Sequence, residues 1–457
     1  MKIYFAAILS LILIKAEVSA QETPPLEVLQ LNLKETLEYA LENNPDSKNA
    51  KLEIMVAQTT IKEETSAGLP QINGSYGFNY NPLVQVVFLP NQPPFGDPSN
   101  PSDVIPARFG VSYSSNLGVN LSQMIFDGSF FVGLRAAKTY KALTEFDKVK
   151  VENDVVENVK KAYFGVLVNA ERIKLSQSNL SRIDSLLEET RALNEAGFTE
   201  KIEVSRIQVQ RNNTFSQLKR SLTAYDISKQ LLKIQLGLPK NYDIVITETL
   251  AELNPEEELD ALQSMDPGSR VEMDQLNTNM ELTQLDLRYN TSQYMPTLDL
   301  VANYTRSGAG DSFNTVFSSN NWFSSSLIGV SMNIPIFDGL SKSARIQRNR
   351  IQLQQLENQK FFLDQNIALE IYQARQILAN DLEVLAVQRE SMDLAKEVYD
   401  IAKIKYNEGV GSNLEVVEAD AALIESEINY LGALYDGLIS KVDLEKALGI
   451  LKQGLDQ

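Results

Sequence analysis

Sixty Asp and Glu side chains, with neither His nor Cys, narrow the chemistry open to this 457-residue chain. Serine–histidine and cysteine–histidine nucleophiles are excluded, as are disulfides, thiolate metal sites and most zinc sites. What is left is work by carboxylates. A pair of them can act as general acid and base, as in a glycosidase, and a ring of them can attract cations in a pore. No Gly-rich phosphate loop or nucleophile elbow occurs. The net charge of −18 repels nucleic acid, which needs clustered Lys and Arg, so no nucleic-acid partner is expected. Neither a cofactor nor a metal site is expected.

Carboxylates act only where a fold positions them. The N-terminus has Lys2, an uncharged apolar run over 3–14, and the small residues Ser19 and Ala20. This pattern predicts a secretory signal peptide over 1–20. The apolar run is too short to cross a bilayer, and no later stretch reaches the roughly 18 to 20 apolar residues that a spanning helix needs.

The rest of the chain is written twice. Each half has an amphipathic segment that begins after Asn-Pro or Asp-Pro (Pro45, Pro267) and ends at Leu-Pro or Met-Pro (Pro70, Pro296). Two alternating stretches follow, and then Phe126-Asp127-Gly128 or Phe337-Asp338-Gly339. A Pro-free region comes next, with a mid glycine (Gly197, Gly409) and a closing Leu-Gly (Gly237, Gly449). Spacing between the copies stays constant to within one residue, which predicts an internal duplication. The expected organisation is a first repeat over 21–239, a linker over 240–269, a second repeat over 270–450 and a tail over 451–457.

No proline lies between Pro106 and Pro239, and none follows Pro335. Over 129–193 the sequence is rich in Leu, Ala, Glu, Lys and Arg, with apolar residues at three and four spacing such as Leu180, Ile183 and Leu187. At 1.5 Å per residue this predicts a helix of roughly 100 Å. A rod of that length must pack beside others. The mid glycines predict a hairpin, with one helix ending at Leu193 and the next starting toward Glu203; Gly409 and Gly411 do the same in the second copy.

The alternating stretches predict four strands of about ten residues each. Ile72, Tyr76, Phe78, Tyr80, Leu117, Val119, Leu298, Leu300, Tyr304, Val330 and Met332 fall on apolar faces, with Ser and Asn dominating the other faces. Apolar and aromatic outside with polar inside is the pattern of a transmembrane β-barrel, and these residues are expected to face lipid. Half-buried strands of a soluble sandwich alternate too. Four strands, however, are too few for a sandwich core and too few to close a barrel, whereas bilayer strands must close. Several identical chains sharing one barrel would meet that requirement. Between the first two strands, 82–106 holds seven prolines and is expected to be neither sheet nor helix.

In order and duplication these motifs resemble the TolC family of outer-membrane efflux and type I secretion channels. The resemblance covers nearly all of the chain beyond the signal: LNLKETLEYALENNP, both strand entries, both Phe-Asp-Gly motifs, both glycine tips, and the Leu-Gly-Leu-Pro and Ala-Leu-Gly-Ile ends. It implies a homotrimer, mainly α with membrane β: a 12-stranded barrel, four strands per chain, continued by a long α-helical coiled-coil tunnel across the periplasm of a Gram-negative bacterium. Phe126, Asp127, Gly128, Phe337, Asp338 and Gly339 would mark where barrel strands hand over to tunnel helices. The linker and the two tails would form an equatorial region.

The implied function is passive conduction through the outer membrane, energised by an inner-membrane transporter and coupled by a periplasmic adaptor (membrane fusion) protein. The adaptor would dock on the tips, Gly197, Phe198 and Thr199 with Gly409, Val410 and Gly411. The family pattern puts the periplasmic constriction at Glu415 and Glu418, whose spacing of three places both on one helix face. Asp is common in the family at these positions. The pattern also implies a closed-state latch from Tyr406 and Glu203, but Gly411 stands where the family has an arginine, and Arg206 is the expected substitute. Two rival readings differ in kind. A periplasmic adaptor or structural coiled coil would carry a single hairpin between soluble β-domains. A carboxylate enzyme would need a globular pocket that two long Pro-free regions do not provide.

Overall fold

The computed structural model describes residues 27–452, except 95, 97–98, 100–101, 251–267 and 269. The expected signal peptide, most of the linker and the last five residues of the tail lie outside the described residues.

The first half starts with β1 (Glu27–Leu31) and α1 (Leu33–Asn43), whose first turn is closed by a capping box between Asn32 and Glu35. Then come α2 (Pro45–Ser66), β2 (Gln71–Tyr80), β3 (Val86–Pro90), β4 (Val104–Arg108), β5 (Tyr113–Phe126), α3 (Gly128–Glu195) and α4 (Lys201–Gln235). After β6 (Tyr242–Ile246), the second half runs α5 (Val271–Ser292), β7 (Thr297–Gly310), the single turn α6 (Phe313–Val316), β8 (Trp322–Asn333), α7 (Ser341–Asn407) and α8 (Asn413–Leu448). The halves correspond element by element. α2 and α5 have 22 residues each, α3 and α7 have 68 and 67, and α4 and α8 have 35 and 36. Both long helices are about 100 Å in length.

The two hairpins turn in the same way, a few residues from the expected bounds. At the first tip the Phe198 amide donates to Leu193 O at 2.8 Å and the Gly197 amide to Asn194 O at 3.0 Å. At the second, the Val410 amide donates to Lys405 O and the Gly409 amide to Tyr406 O, each at 3.0 Å. This double closure satisfies carbonyls that a helix end leaves free, and it needs one left-handed residue. Glycine supplies it, at φ 84° in Gly197 and 74° in Gly409. Gly237 and Gly449 close α4 and α8 by the same pair of bonds.

Four strands form one antiparallel sheet in the order β2-β5-β7-β8, with β2 and β8 as open edges. The register puts cross-strand neighbours on one face. The outward face carries Ile72, Tyr76, Phe78 and Tyr80 of β2, Leu117 and Val119 of β5, Leu298, Leu300 and Tyr304 of β7, and Val330 and Met332 of β8. All eleven residues expected to face lipid therefore share one face. The other face is polar: Asn73 stands opposite Asn120, which stands opposite Asn303, and Asn303 Nδ2 donates to Asn120 Oδ1 at 2.5 Å. At the end of the sheet remote from the long helices, Phe78 packs on Phe313 and Phe317 with ring centroids 5.8 and 6.0 Å away, and Tyr80 stacks on Tyr113 at 4.7 Å.

One expectation is corrected. The proline-rich 82–106 is not devoid of sheet, because β3 and β4 pair within it as a two-stranded ribbon. Pro90 sits opposite Val104, and Pro106 opposite Phe88. A two-stranded ribbon uses only every second N–H of each strand. Both prolines fall in the same alternate set of pairs, so neither removes a ladder bond.

α3 packs along α4, and α7 along α8, while the two hairpins meet mainly where α3 lies against α8. The core has two parts. A large equatorial cluster joins Leu37 and Ala40 of α1, Val155 to Val168 of α3, Leu232 of α4 and Leu236 just after it, Ile371 to Leu385 of α7 and Leu431 to Leu448 of α8. β1 and β6, parallel neighbours, lie over it through Leu29, Leu31 and Ile244. A smaller cluster nearer the tips joins Ile183, Leu186 and Leu187 to Ile207, Tyr399, Val416 and Leu423.

Candidate functional site

The strand-to-helix junctions come first along the chain. Asp127 caps α3, accepting from the Ser129 amide at 2.7 Å and the Ser129 hydroxyl at 2.6 Å. The second copy is built differently. β8 stops at Asn333, so Phe337 is outside the strand and largely exposed. Gly339 and Leu340 are both left-handed, and Asp338 Oδ2 accepts from the amide of Lys342, the second residue of α7, at 2.9 Å. β5 continues to Phe126 because β7 pairs with it past a register shift, up to Leu298, whereas β8 is an open edge and Pro335 has no N–H to donate.

At the tips, Phe198 and Val410 are each 79% exposed, while Thr199 is half-buried and its backbone oxygen accepts from Asn194 Nδ2 at 2.6 Å. Glu415 and Glu418 occupy the first turns of α8, both exposed, on the side turned away from the buried Val416, Val417 and Asp420. Ser412 caps this helix through the Glu415 amide at 3.2 Å. Tyr406 ends α7, and its hydroxyl lies 3.4 Å from Thr190 Oγ1. Glu203 and Arg206, in the first turns of α4, are half-buried. Among the described residues no hydrogen bond or ion pair joins Tyr406, Glu203 and Arg206 to one another.

Sequence reasoning missed the polar residues threaded through the tip-side core cluster. Arg182 of α3 donates from Nε to Asp420 Oδ1 of α8 at 2.6 Å, and its guanidinium stacks over the Tyr399 ring of α7 at 4.9 Å. One level higher, Asn179 Nδ2 donates to Glu427 Oε2 at 2.8 Å; one level lower, Asn413 Nδ2 reaches Thr190 Oγ1 at 3.5 Å. Asn413, Asp420 and Glu427 are seven residues apart in succession, so a single buried column of α8 is polar where a coiled-coil seam is normally apolar. That spacing was readable in the sequence. Burial raises the Asp420 carboxyl above its ordinary range in spite of the guanidinium, and raises the Glu427 carboxyl too. The Tyr399 hydroxyl is pushed up to about 12, first by burial. Toward the equator the same seam is crossed by Lys160–Glu445, Lys161–Asp443 and Lys446–Glu157, each at 2.6 Å.

Among the described residues the arrangement holds no catalytic constellation. It has two long hairpins joined by a partly polar seam, with exposed tips at one end and a sheet at the other that is apolar on its outward face. The family profile described as Outer membrane efflux protein matches residues 36–238 and 269–450, well over half of the chain. The chain belongs to the outer membrane efflux protein family. Among relatives of this efflux protein, the outer membrane protein TolC of Vibrio cholerae is 21% identical over 436 residues, covering 92% of this chain and 91% of that one. The toluene efflux pump outer membrane protein TtgC of Pseudomonas putida is 23% identical over 369 residues, 77% of this chain and 72% of that one. The open-state structure of the MtrE outer membrane channel of Neisseria gonorrhoeae superposes with a TM-score of 0.69 at 16% identity, covering 92% of this chain and 89% of that one. The efflux protein is thus an outer-membrane duct of the TolC family, with its helical tunnel in the periplasm.

Proposed function

We propose that three copies of this chain close a 12-stranded barrel in the outer membrane and continue it as one helical tunnel. Through it, small molecules or proteins pass passively to the exterior. The observation that carries the reading is the four-stranded sheet itself. It has an apolar outward face, a polar inward face and two open edges. Lipid does not tolerate unpaired edges, so the edges must meet those of other copies. Three identical sheets supply twelve strands, and the long helices that leave them run as one bundle.

Energy comes from an inner-membrane transporter, and a periplasmic adaptor couples that transporter to the tips, contacting Gly197, Phe198, Thr199, Gly409, Val410 and Gly411. Two exposed apolar residues at hairpin turns, Phe198 and Val410, support docking there. Glu415 and Glu418 from three chains form an acidic constriction where the tunnel meets the periplasm. Their exposure on the free side of α8 supports that role. Tyr406, Glu203 and Arg206 form the closed-state latch in the assembled tunnel, with Thr190 as the partner of Tyr406 inside each chain.

Planar-bilayer conductance of the purified protein beside a Glu415→Gln, Glu418→Gln double variant tests the reading. Cation-selective openings whose selectivity falls in the variant support channel and ring together. Openings unchanged by the variant remove the ring. Absence of insertion by a folded, trimeric protein removes the channel.

A further inference from the structure

Seven successive rungs of cross-strand neighbours make up the outward face of the sheet. They hold aliphatic, aromatic, Gly, Ser and Gln side chains, and a single charge, Arg306 of β7. Arg306 is exposed, stands between Leu117 of β5 and Ser324 of β8, and has no carboxylate partner among the described residues. β7 is an inner strand, hydrogen-bonded on both sides, so its outward face stays outward whatever joins the edges of the sheet.

The depth of Arg306 follows from the strand. The long helices leave the sheet at the Leu298 end, which is therefore the periplasmic end. Arg306 lies eight residues along, about 27 Å at ~3.4 Å per residue, or roughly 20 Å in height at the usual strand tilt. A lipid-facing apolar band is about 25 Å tall. Arg306 thus sits at its outer border, and an arginine stem can lift its head group further toward water. Aromatic side chains bracket the position. Tyr304 lies one rung below it and Tyr76 stands in the same rung beyond Leu117, while the Phe78, Tyr113 and Phe313 cluster lies beyond it, as in an interfacial girdle. The Tyr304 hydroxyl donates to Ser324 Oγ at 3.1 Å, which leaves the Ser324 proton free to donate to an anion beside the guanidinium.

We propose that Arg306, with Ser324, binds a phosphate group of the phosphorylated glycolipid in the outer leaflet, the guanidinium taking the phosphate oxygens in a forked contact. The proposal rests on the barrel reading above. A lone cation facing the acyl chains is expensive at the midplane and much less so at the interface. There the anion dense enough to pair with it is a lipid phosphate, and guanidinium geometry fits phosphate in a bidentate fashion.

The test uses the full-length protein reconstituted into phosphatidylcholine vesicles doped with bis-phosphorylated lipid A, with the same glycolipid stripped of phosphate, or with phosphatidylglycerol. Retained lipid per chain is counted by mass spectrometry after extraction. The wild type should hold the phosphorylated glycolipid roughly tenfold more tightly than the stripped form, as expected for hydrogen bonds to a charged group. Arg306→Gln should lose that preference while inserting normally, and Arg306→Lys should keep part of it. A preference that survives Arg306→Gln overturns the site. Equal retention of both glycolipids shows acyl-chain contact alone and overturns the phosphate. Stronger retention of phosphatidylglycerol overturns the choice of lipid. A chain that inserts into no vesicle overturns the barrel reading, a failure distinct from the other three.

Discussion

Arg182 and Asp420 form an ion pair 2.6 Å long across the seam between the two hairpins, with their side chains 17% and 1% exposed. The pair is incompletely satisfied, since Arg182 Nη2 and Asp420 Oδ2 are buried and have no hydrogen-bond partner. Such a pair adds little net stability against a hydrophobic replacement, but it penalises every arrangement that separates the charges. Asp420 lies two residues beyond Glu418 on α8 and faces α3. The register of the pair therefore fixes the rotation of the helix that carries Glu415 and Glu418.

Arg182→Met leaves the buried Asp420 carboxylate without its counter-charge and is expected to cost about 3–5 kcal/mol. Replacing both members by apolar residues of similar size should cost far less than the sum of the single changes. Denaturant unfolding of the single and double variants measures this. Additive losses would contradict the coupling.

Asp420 and Glu427 have carboxyls raised in the folded chain, so they take up protons more readily folded than unfolded, and their unfavourable contribution is relieved as pH falls from neutrality. Burial also opposes ionisation of Glu152 and Glu157, yet Lys452 and Lys148 on the first, and Lys161 and Lys446 on the second, hold both below the ordinary value. Their stabilisation is lost only below the ordinary carboxylate range. Stability should therefore peak in mild acid. Glu427→Gln, which keeps an acceptor for Asn179, should flatten the rise between neutrality and that peak in a pH series of melting temperatures.

The glycine caps should differ in cost. Gly197 has open space where a side chain would start, so Gly197→Ala pays only for a left-handed alanine, about 1–2 kcal/mol. At Gly237 the added carbon would lie 2.7 Å from Asn43 O and 3.1 Å from Pro45 Cδ, so Gly237→Ala should be clearly worse. Thermal unfolding of the two variants side by side checks the order.

Phe198→Ala and Val410→Ser remove side chains that are each 79% exposed and should leave the melting temperature within about 0.5 kcal/mol of equivalent stability. Adaptor binding, read by cross-linking at the tips, should drop at the same time. Loss of fold together with loss of binding would assign these residues to the hairpin turn.

Residues that act through local spacing were legible. Leu180, Ile183 and Leu187 announced the helix, and Gly197 and Gly409 announced the turns. The alternation of Ile72, Tyr76, Phe78 and Tyr80 announced a strand with one apolar face. The same local rules misjudged 82–106. Proline content alone does not reveal that Phe88 and Pro106 would stand opposite each other at positions where no N–H is needed.

The sequence by itself determined the class of this protein, two copies of helix, strand pair and helical hairpin, because periodicity and caps depend on neighbours within a turn or two. Only the tertiary structure decided which distant residues share an environment. It brought Arg182 to Asp420 and placed Arg306 as the single charge on the outward face. It also left Tyr406 beside Thr190. Those relations depend on how helices rotate against one another and on strand register, which are set by the packing of the whole chain.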